Sequence, residues 1–433
     1  MKYLLPALPL LLFSTANAQR VRQLSFDQAI KDGLANSKNL RMDDARIEEA
    51  NASLLEAKNR QLPDFDVTAS YLRLGSANVD LKAKPSGQQG GGSPSMNQAM
   101  FGNASLKYPI YAGGRIRYGI ESAGYLVEAA KASKENDADA VALNIAQAYN
   151  NLFKASQTII VLKENLAASK KRDSTLLRLE NNGIIARNDR LKAELQTSNV
   201  ELQLLDAQNN FNIASLNMDI LLGYNTRETI MPDSNFIQPI TLLPMEEYQA
   251  LATRQRKDLE VYSLHQKAAA IGTKAAKAET LPTIAITGGY IAANIPKLVT
   301  VTNAANIGVG VQYNLSYLWK KNSNLAKSIA REKQLTISKE MLSENVYLDV
   351  YRSYEMAVLA NQRRDVLKKS LDQATENLRI TKNKYDNNLL TMTDLLDADA
   401  QLTAAKVNYM NAKADAVIAY KKLLQSTGTI NKQ

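Results

Sequence analysis

Few side chains in this chain could do chemistry, and the pair best suited to it is Asp394 and Asp397. They stand three residues apart just after the Asn387-Asn388 turn, so a helix would carry both on one face. Asp399, two residues beyond Asp397, should point elsewhere. Early in a helix, aspartates can simply favour the positive end of its dipole. Gathered around an axis in several copies, the same carboxylates would disfavour one another's ionisation and attract cations. Other chemistry has little to work with. There is no cysteine, hence no disulfide, thiolate metal site or lipid-modified N-terminal cysteine, and the one histidine, His265, sits among Lys267 and Ala268 to Ala270, where an exposed or half-packed side chain is expected. The loop around Gly90-Gly91-Gly92 lacks the GxxxxGK[ST] spacing of a phosphate cradle. No catalytic residue, constitutive metal or cofactor is expected, and the chain does not read as an enzyme.

The elements that must position these aspartates are long. From Gly114 to Gly183 the only glycines, Gly119 and Gly124, lie at the start and there is no proline, which predicts one helix of about 65 residues, roughly 100 Å at ~1.5 Å per residue. Within it Val141, Ile145, Ala148, Leu152, Ala155, Ile159, Leu162 and Leu166 keep the alternating steps of a coiled-coil seam. Lys320 to Asn388 lacks glycine and proline too, and places Tyr347, Tyr351, Tyr354, Val358 and then Leu367, Leu371, Ala374, Leu378 at the same steps. The closing helix carries a third seam, Leu395, Ala398, Leu402, Ala405, Tyr409, Ala412, Ala416, Ala419 and Leu423, whose alanines let backbones approach. This regularity argues for one elongated body rather than several compact domains. The formal charge of +10, from 53 basic and 43 acidic residues, is spread without a dense block, so no nucleic-acid partner is expected.

Residues 1–18 read as a signal peptide, with Lys2, the apolar run Leu4 to Phe13 and the small-residue site Ala16-Asn17-Ala18. A helix is expected from Phe26 to Gln61, interrupted at Gly33. Phe65, Val67, Ala69 and Tyr71 then alternate with Asp64, Asp66, Thr68 and Ser70, the pattern of a strand with one apolar face. A polar loop from about Gly75 to Asn103 leads to a second strand at Leu106, Tyr108 and Ile110, broken by Pro109. The long helix, a turn at Asn181 to Gly183 and a helix to Leu222 complete the unit, and Asn225 to Pro244 reads as a linker. The plan then repeats: Leu40 corresponds to Leu259, Leu62-Pro63 to Leu281-Pro282 and the Phe65 strand to Ile284, Ile286, Gly288 and Tyr290. After a loop from Ala292 to Asn306, Ile307, Val309, Val311 and Tyr313 make a fourth strand, while Asn387-Asn388 repeats Asn181-Asn182 and Asp394 repeats Asp189. The expected division is therefore a first structural repeat over 19–243 and a second over 244–433.

Four strands cannot close a barrel, for which about eight are needed, and open edges are untenable in lipid. No apolar run after the signal is long enough for a membrane helix, so entry into a membrane would be as a β-barrel pooled from several chains. Tyr71, Tyr108, Tyr111, Tyr290, Tyr313, Tyr317 and Trp319 cluster at strands and strand ends, as aromatic residues do at membrane interfaces; packing inside a barrel-to-helix junction is the alternative for Trp319.

The tandem plan, the run Tyr108-Pro109-Ile110-Tyr111-Ala112-Gly113-Gly114-Arg115, and Lys384-Tyr385-Asp386-Asn387-Asn388 leading into Thr393-Asp394-Leu395-Leu396-Asp397-Ala398 resemble the TolC family of outer-membrane efflux proteins. The resemblance implies a mainly α fold with a small β part: long antiparallel coiled-coil helices forming a periplasmic tunnel, and four strands per chain contributing to a trimeric twelve-stranded outer-membrane β-barrel. It implies a homotrimer in the outer membrane of a Gram-negative bacterium, in contact with its lipid. The function implied is that of a passive exit duct for efflux or secretion, served by a periplasmic adaptor (membrane fusion) protein and an inner-membrane transporter of RND or ABC type. A periplasmic coiled-coil scaffold without conduction is the alternative. By the same resemblance Asp394 and Asp397 line the narrow periplasmic mouth, where divalent cations would block, and Asp189 and Tyr385 hold the entrance closed. Leu390 stands where better-known members have an arginine, which leaves Arg187 or Lys192 to partner Asp189; packing at the end of the Leu371, Ala374, Leu378 seam is the other reading of Tyr385.

Overall fold

The computed structural model describes residues 21–78, 95–224, 229–237, 240–296 and 299–431. The predicted signal peptide and the glycine stretch around Gly90 lie outside the described residues. Eight α-helices and six strands occur among those described, besides two short 3-10 turns, in the order β1 (Val21–Leu24), α1 (Phe26–Asn36), α2 (Lys38–Asn59), β2 (Asp64–Asn78), β3 (Ser95–Tyr111), α3 (Arg115–Asn181), α4 (Arg187–Leu222), β4 (Thr229–Pro232), α5 (Met245–Gln255), α6 (Lys257–Ala278), β5 (Thr283–Ile295), β6 (Val299–Gln312), α7 (Ser323–Asp386) and α8 (Met392–Ser426). Two compact units result, each drawing on both sides of the expected 243/244 boundary: residues 1–41, 136–256 and 345–433 form one, and 42–135 and 257–344 the other.

In the unit that holds the sheet, the strand order is β2-β3-β5-β6, all antiparallel, with β2 and β6 at the edges. Register explains what the alternation is for. Phe65 stands opposite Leu106, Leu106 opposite Gly288 and Gly288 opposite Ile307, while Val67 faces Ala104 and Ala104 faces Tyr290. Directly paired residues share a face, so Phe65, Val67, Leu106, Tyr290 and Ile307 collect on one side, while Leu72, Phe101 and Ile291, farther along the strands, fall on the other. Phe65, Val67, Ile307, Val309 and Val311 are all exposed there, which no water-facing sheet of a soluble domain would leave uncovered. Over the first rungs the other face runs Asp64, Lys107, Thr287, Gly308 and Asp66, Ser105, Gly289, Asn306, all polar or small. The strands are 13 to 17 residues long, more than the 9–11 or so that cross a bilayer. Trp319 is 69% exposed, so packing within its own chain does not account for it.

The strands outrun expectation. Described loop residues between Gly75 and Asn103, and between Ala292 and Asn306, belong to strands β2, β3, β5 and β6, because hairpin pairing carries polar residues as readily as apolar ones once the ladder is started. Tyr313 falls one residue past β6. Pro109 does not break β3; the pairing with β5 shifts register between Pro109 and Tyr111, an irregularity that absorbs the missing N–H.

The second unit has its core where α1, α3, α4 and a small sheet meet. Leu24, Ile145, Tyr149, Leu152, Phe211, Met218, Leu222 and Ile230 are buried together, each large apolar side chain contributing about 1.5–3 kcal/mol. The small sheet was not foreseen: β1 pairs in parallel with β4, inside the expected linker. Tyr149 ties the pair to α3. Its hydroxyl lies 2.9 Å from the Leu24 carbonyl and 3.0 Å from that of Asp233, and accepts from the Asp233 amide at 2.9 Å. Burial pushes the Tyr149 phenol far above its ordinary pKa. The first helix breaks at Ser37, not at Gly33. Gly33 lies inside α1 where a Cβ would come within 2.3 Å of Ile145, so it is small for packing and not for a bend. The matching break in the second half is Arg256, and α5, α6 and β5 each begin 219 residues after α1, α2 and β2.

The α3 seam is buried at Ile145, Ala148, Leu152 and Leu162, and the α8 seam at Leu395, Ala398, Ala405, Ala412, Ala416 and Leu423. In the first part of the α7 seam the buried positions are displaced by one residue: Val346, Val350, Ser353 and Ala357 are buried, whereas Tyr347 and Tyr351 are exposed; Leu367, Leu371, Ala374 and Leu378 are half-buried where expected. One residue is about 100° of helix rotation, and the smaller side chains take the interior because helices approach closely there.

Candidate functional site

The aspartates lie at the turns that end the two long helices, both in the second unit. Their backbones match. Gly183 has φ +70° and Asn388 φ +58°; Gly183 donates to the Glu180 carbonyl at 2.8 Å and Ile184 to Leu179 at 2.9 Å, while Asn388 donates to Tyr385 at 2.9 Å and Leu389 to Lys384 at 2.8 Å. This is the left-handed helix stop that glycine, and after it asparagine, tolerates. The counterpart of Gly183 is thus Asn388, which moves the expected Asn181-Asn182 to Asn387-Asn388 correspondence by one residue and leaves Asp189 opposite Asp394. Beneath both turns lie Leu176, Ala193, Met392, Leu395 and Leu396, with Leu378 and Tyr385 packed against them.

Asp394 is the third residue of α8 and closes a capping box. Its carboxylate accepts from the Thr391 amide at 2.9 Å and the Thr391 hydroxyl at 2.6 Å, and the Thr391 Oγ1 accepts from the Asp394 amide at 3.3 Å. These bonds from the Thr391 side chain and backbone hold its carboxyl below the usual carboxylate range. Asp397 is exposed one turn on. Asp399 does face elsewhere: its carboxylate pairs with Arg172 of α3 at 2.9 Å, both groups largely buried.

Asp189 begins α4, and the cation that reaches it is Lys192, at 3.8 Å. The same ammonium donates to the Thr393 hydroxyl of α8 at 3.4 Å. Tyr385 is half-buried in the apolar cluster with Leu378, and burial, then the charges of Asp189 and Asp386, raise its pKa. Tyr385 packs in the apolar cluster, as one of its two readings has it. Leu390 is half-buried and brings no charge. Arg190 was missed in the sequence. It pairs with Glu180 across the turn and with Glu194 at 2.6 Å, and these carboxylates raise its pKa. Its signal was available as a cation near two carboxylates, at i−10 across the turn and i+4 along the helix.

Among the described residues no cluster of His, Cys, Asp and Glu is arranged to hold a metal ion, and no helix is long and apolar enough to cross a membrane. A family model described as outer membrane efflux protein matches residues 29–224 and 248–429. The chain belongs to the outer membrane efflux protein family. Solved structures similar to it include CusC, described as forming a transmembrane channel (TM-score 0.77, 17% identity, covering 93% of this chain and 92% of that one), the outer membrane protein VceC from Vibrio cholerae (0.73, 18%, 93% and 96%) and the Campylobacter jejuni CmeC outer membrane channel (0.74, 19%, 94% and 86%). A search of curated proteins by sequence finds no match. As an outer membrane efflux protein the chain contributes strands to a trimeric β-barrel and helices to a periplasmic tunnel, and serves as an exit duct of efflux systems. The family implies a trimer and association with efflux-pump components, and does not favour a scaffold without conduction.

Proposed function

We propose that three copies of this chain form a passive duct whose periplasmic mouth is made by the first turns of α4 and α8. Asp394 and Asp397 of each copy set cation capture at that mouth, and Asp189 with Tyr385 helps hold it closed. Cargo is handed over by an inner-membrane pump of RND or ABC type through a periplasmic adaptor, and no cofactor takes part. The two halves, 19–243 and 244–433, derive from one duplicated unit, supported by the 219-residue spacing of α1, α2 and β2 from α5, α6 and β5.

The observation that carries this reading is the sheet: one exposed apolar face, an opposite face that is polar or small over its first rungs, and two unpaired edges, β2 and β6, which pooling with further copies would satisfy. The helices supply matching free surface. Leu195, Leu202, Leu205, Leu216 and Ile220 of α4, and Met356, Leu359 and Val366 of α7, are exposed apolar ridges that suit a neighbouring copy. The expected rise in carboxyl pKa belongs to six carboxylates crowded around an axis; within one chain the Thr391 box acts in the opposite direction on Asp394. The test is a planar-bilayer recording of the purified trimer with magnesium added on the helix side. Asp394→Ala combined with Asp397→Ala should leave a heat-sensitive trimer and relieve the block; unchanged block would remove these residues from the mouth.

A further inference from the structure

The two hairpins carry opposite charges at one equivalent point. With Gly183 matched to Asn388 and Asp189 to Asp394, Lys192 of α4 holds the place that Asp397 holds in α8. An exact repeat would have put two carboxylates on each hairpin; this chain has a carboxylate and an ammonium on one. The ammonium is not pointed away. It lies 3.8 Å from Asp189 on its own helix and donates to Thr393 on α8 at 3.4 Å, and Thr393 immediately precedes Asp394. Other cations nearby are differently placed: Arg190 is taken up by Glu180 and Glu194, and Arg187 is exposed at the start of α4.

We propose that Lys192 is a built-in counter-cation of the mouth, a specificity-determining residue that competes with mobile divalent cations for the field of Asp189, Asp394 and Asp397. The inference rests on the proposed mouth role of Asp394 and Asp397. Charges separated by less than the ~10 Å Debye length at 0.1 M salt act on one another, and consecutive Cα atoms are 3.8 Å apart, so an ammonium hydrogen-bonded to Thr393 lies within that range of the Asp394 Cα. A tethered cation cannot be diluted away. It therefore weakens the binding of small divalent ions without narrowing the passage, most strongly at low ionic strength, and leaves the mouth less cation-selective than an all-carboxylate ring of the same geometry.

The experiment uses the full-length trimer in planar bilayers with magnesium alone as the probe. Lys192→Gln should strengthen magnesium block about fivefold, and Lys192→Asp, which gives both hairpins the same charge pattern, by more; Lys192→Arg should leave it near the parent value. The effect should shrink as salt rises. Each variant is first checked for the heat-sensitive trimer and for the parent single-channel conductance, so that a change in block is read only on a duct of unchanged bore. Parent-like block in Lys192→Gln and Lys192→Asp, with block abolished in Asp394→Ala/Asp397→Ala, overturns the role of Lys192 and leaves the mouth standing. Unchanged block in that double variant overturns both. In the double-alanine background, Lys192→Gln should no longer alter block.

Discussion

At the turn between α3 and α4, Arg190 reaches back to Glu180; at the matching places of the turn between α7 and α8 stand Leu395 and Tyr385, which meet in the apolar core instead. Ala186 starts α4 with extended backbone and no side-chain cap, where Thr391 starts α8 with a full capping box. Asp189 leans on Lys192, while Asp394 leans on Thr391 and has Asp397 for a neighbour. Yet the backbones stop their helices by the same hydrogen bonds. The lesson is that the path of such a hairpin is set by main-chain bonds and one left-handed residue, so its side chains are free to become a staple, a cap or a charged rim. Family likeness secures the path and says little about the rim.

The comparison can be broken most severely at its apolar member. Leu395→Arg gives α8 the residue of α4 without a Glu180 to receive it, and burying that charge beside Met392 and Leu396 should destabilise the hairpin by about 3 kcal/mol or more, seen as loss of the heat-sensitive trimer. The converse change, Arg190→Leu, should leave the trimer assembled. Exchanging caps comes next. Thr391→Ala should weaken the start of α8 by about 1 kcal/mol, and Ala186→Thr, with Asp189 already at the third position, should strengthen the start of α4 by a similar or smaller amount, both read by amide exchange. Acid supplies a finer cut. The folded-state pKa of Asp394 is depressed, so its contribution is complete above the unfolded value of about 3.9 and is lost as pH falls through the lower folded value. A downward titration should shift the resonances of 391–395 at a lower pH in the parent than in Thr391→Ala. Smallest of all, Asn388→Gly should stabilise the second turn by a few tenths of a kcal/mol, and Gly183→Asn should cost as little.

What was legible in the sequence is what depends on periodicity. The α3 and α8 seams and the existence and faces of four strands follow from apolar spacing. The tyrosine part of the α7 seam misled because tyrosine counts as apolar in a pattern, while a close helix contact admits Val350 and Ala357 more easily than Tyr351. Gly33 looked like a breaker because glycine breaks isolated helices, but its partner Ile145 is more than a hundred residues away. The β1 and β4 pair was invisible for the same reason: four residues each, joined only through tertiary contacts such as Tyr149. Of the site, Asp394, Asp397 and Asp189 could be placed on helix starts from spacing alone. That Lys192 and not Arg187 reaches Asp189 was in the spacing too, since i+3 shares a helix face and i−2 does not; what spacing does not encode is the reach of Lys192 to Thr393 on α8.

The two unmatched margins of the sheet, β2 and β6, also bear on how the protein is made. A newly exported copy cannot rest in the bilayer by itself, since its outer strands would carry bare peptide groups into oil. Insertion is therefore a test that only a completed ring passes, and a cell that makes too little of the chain should accumulate stranded subunits in the periplasm, open to proteolysis, before it shows any leaky half-built pores.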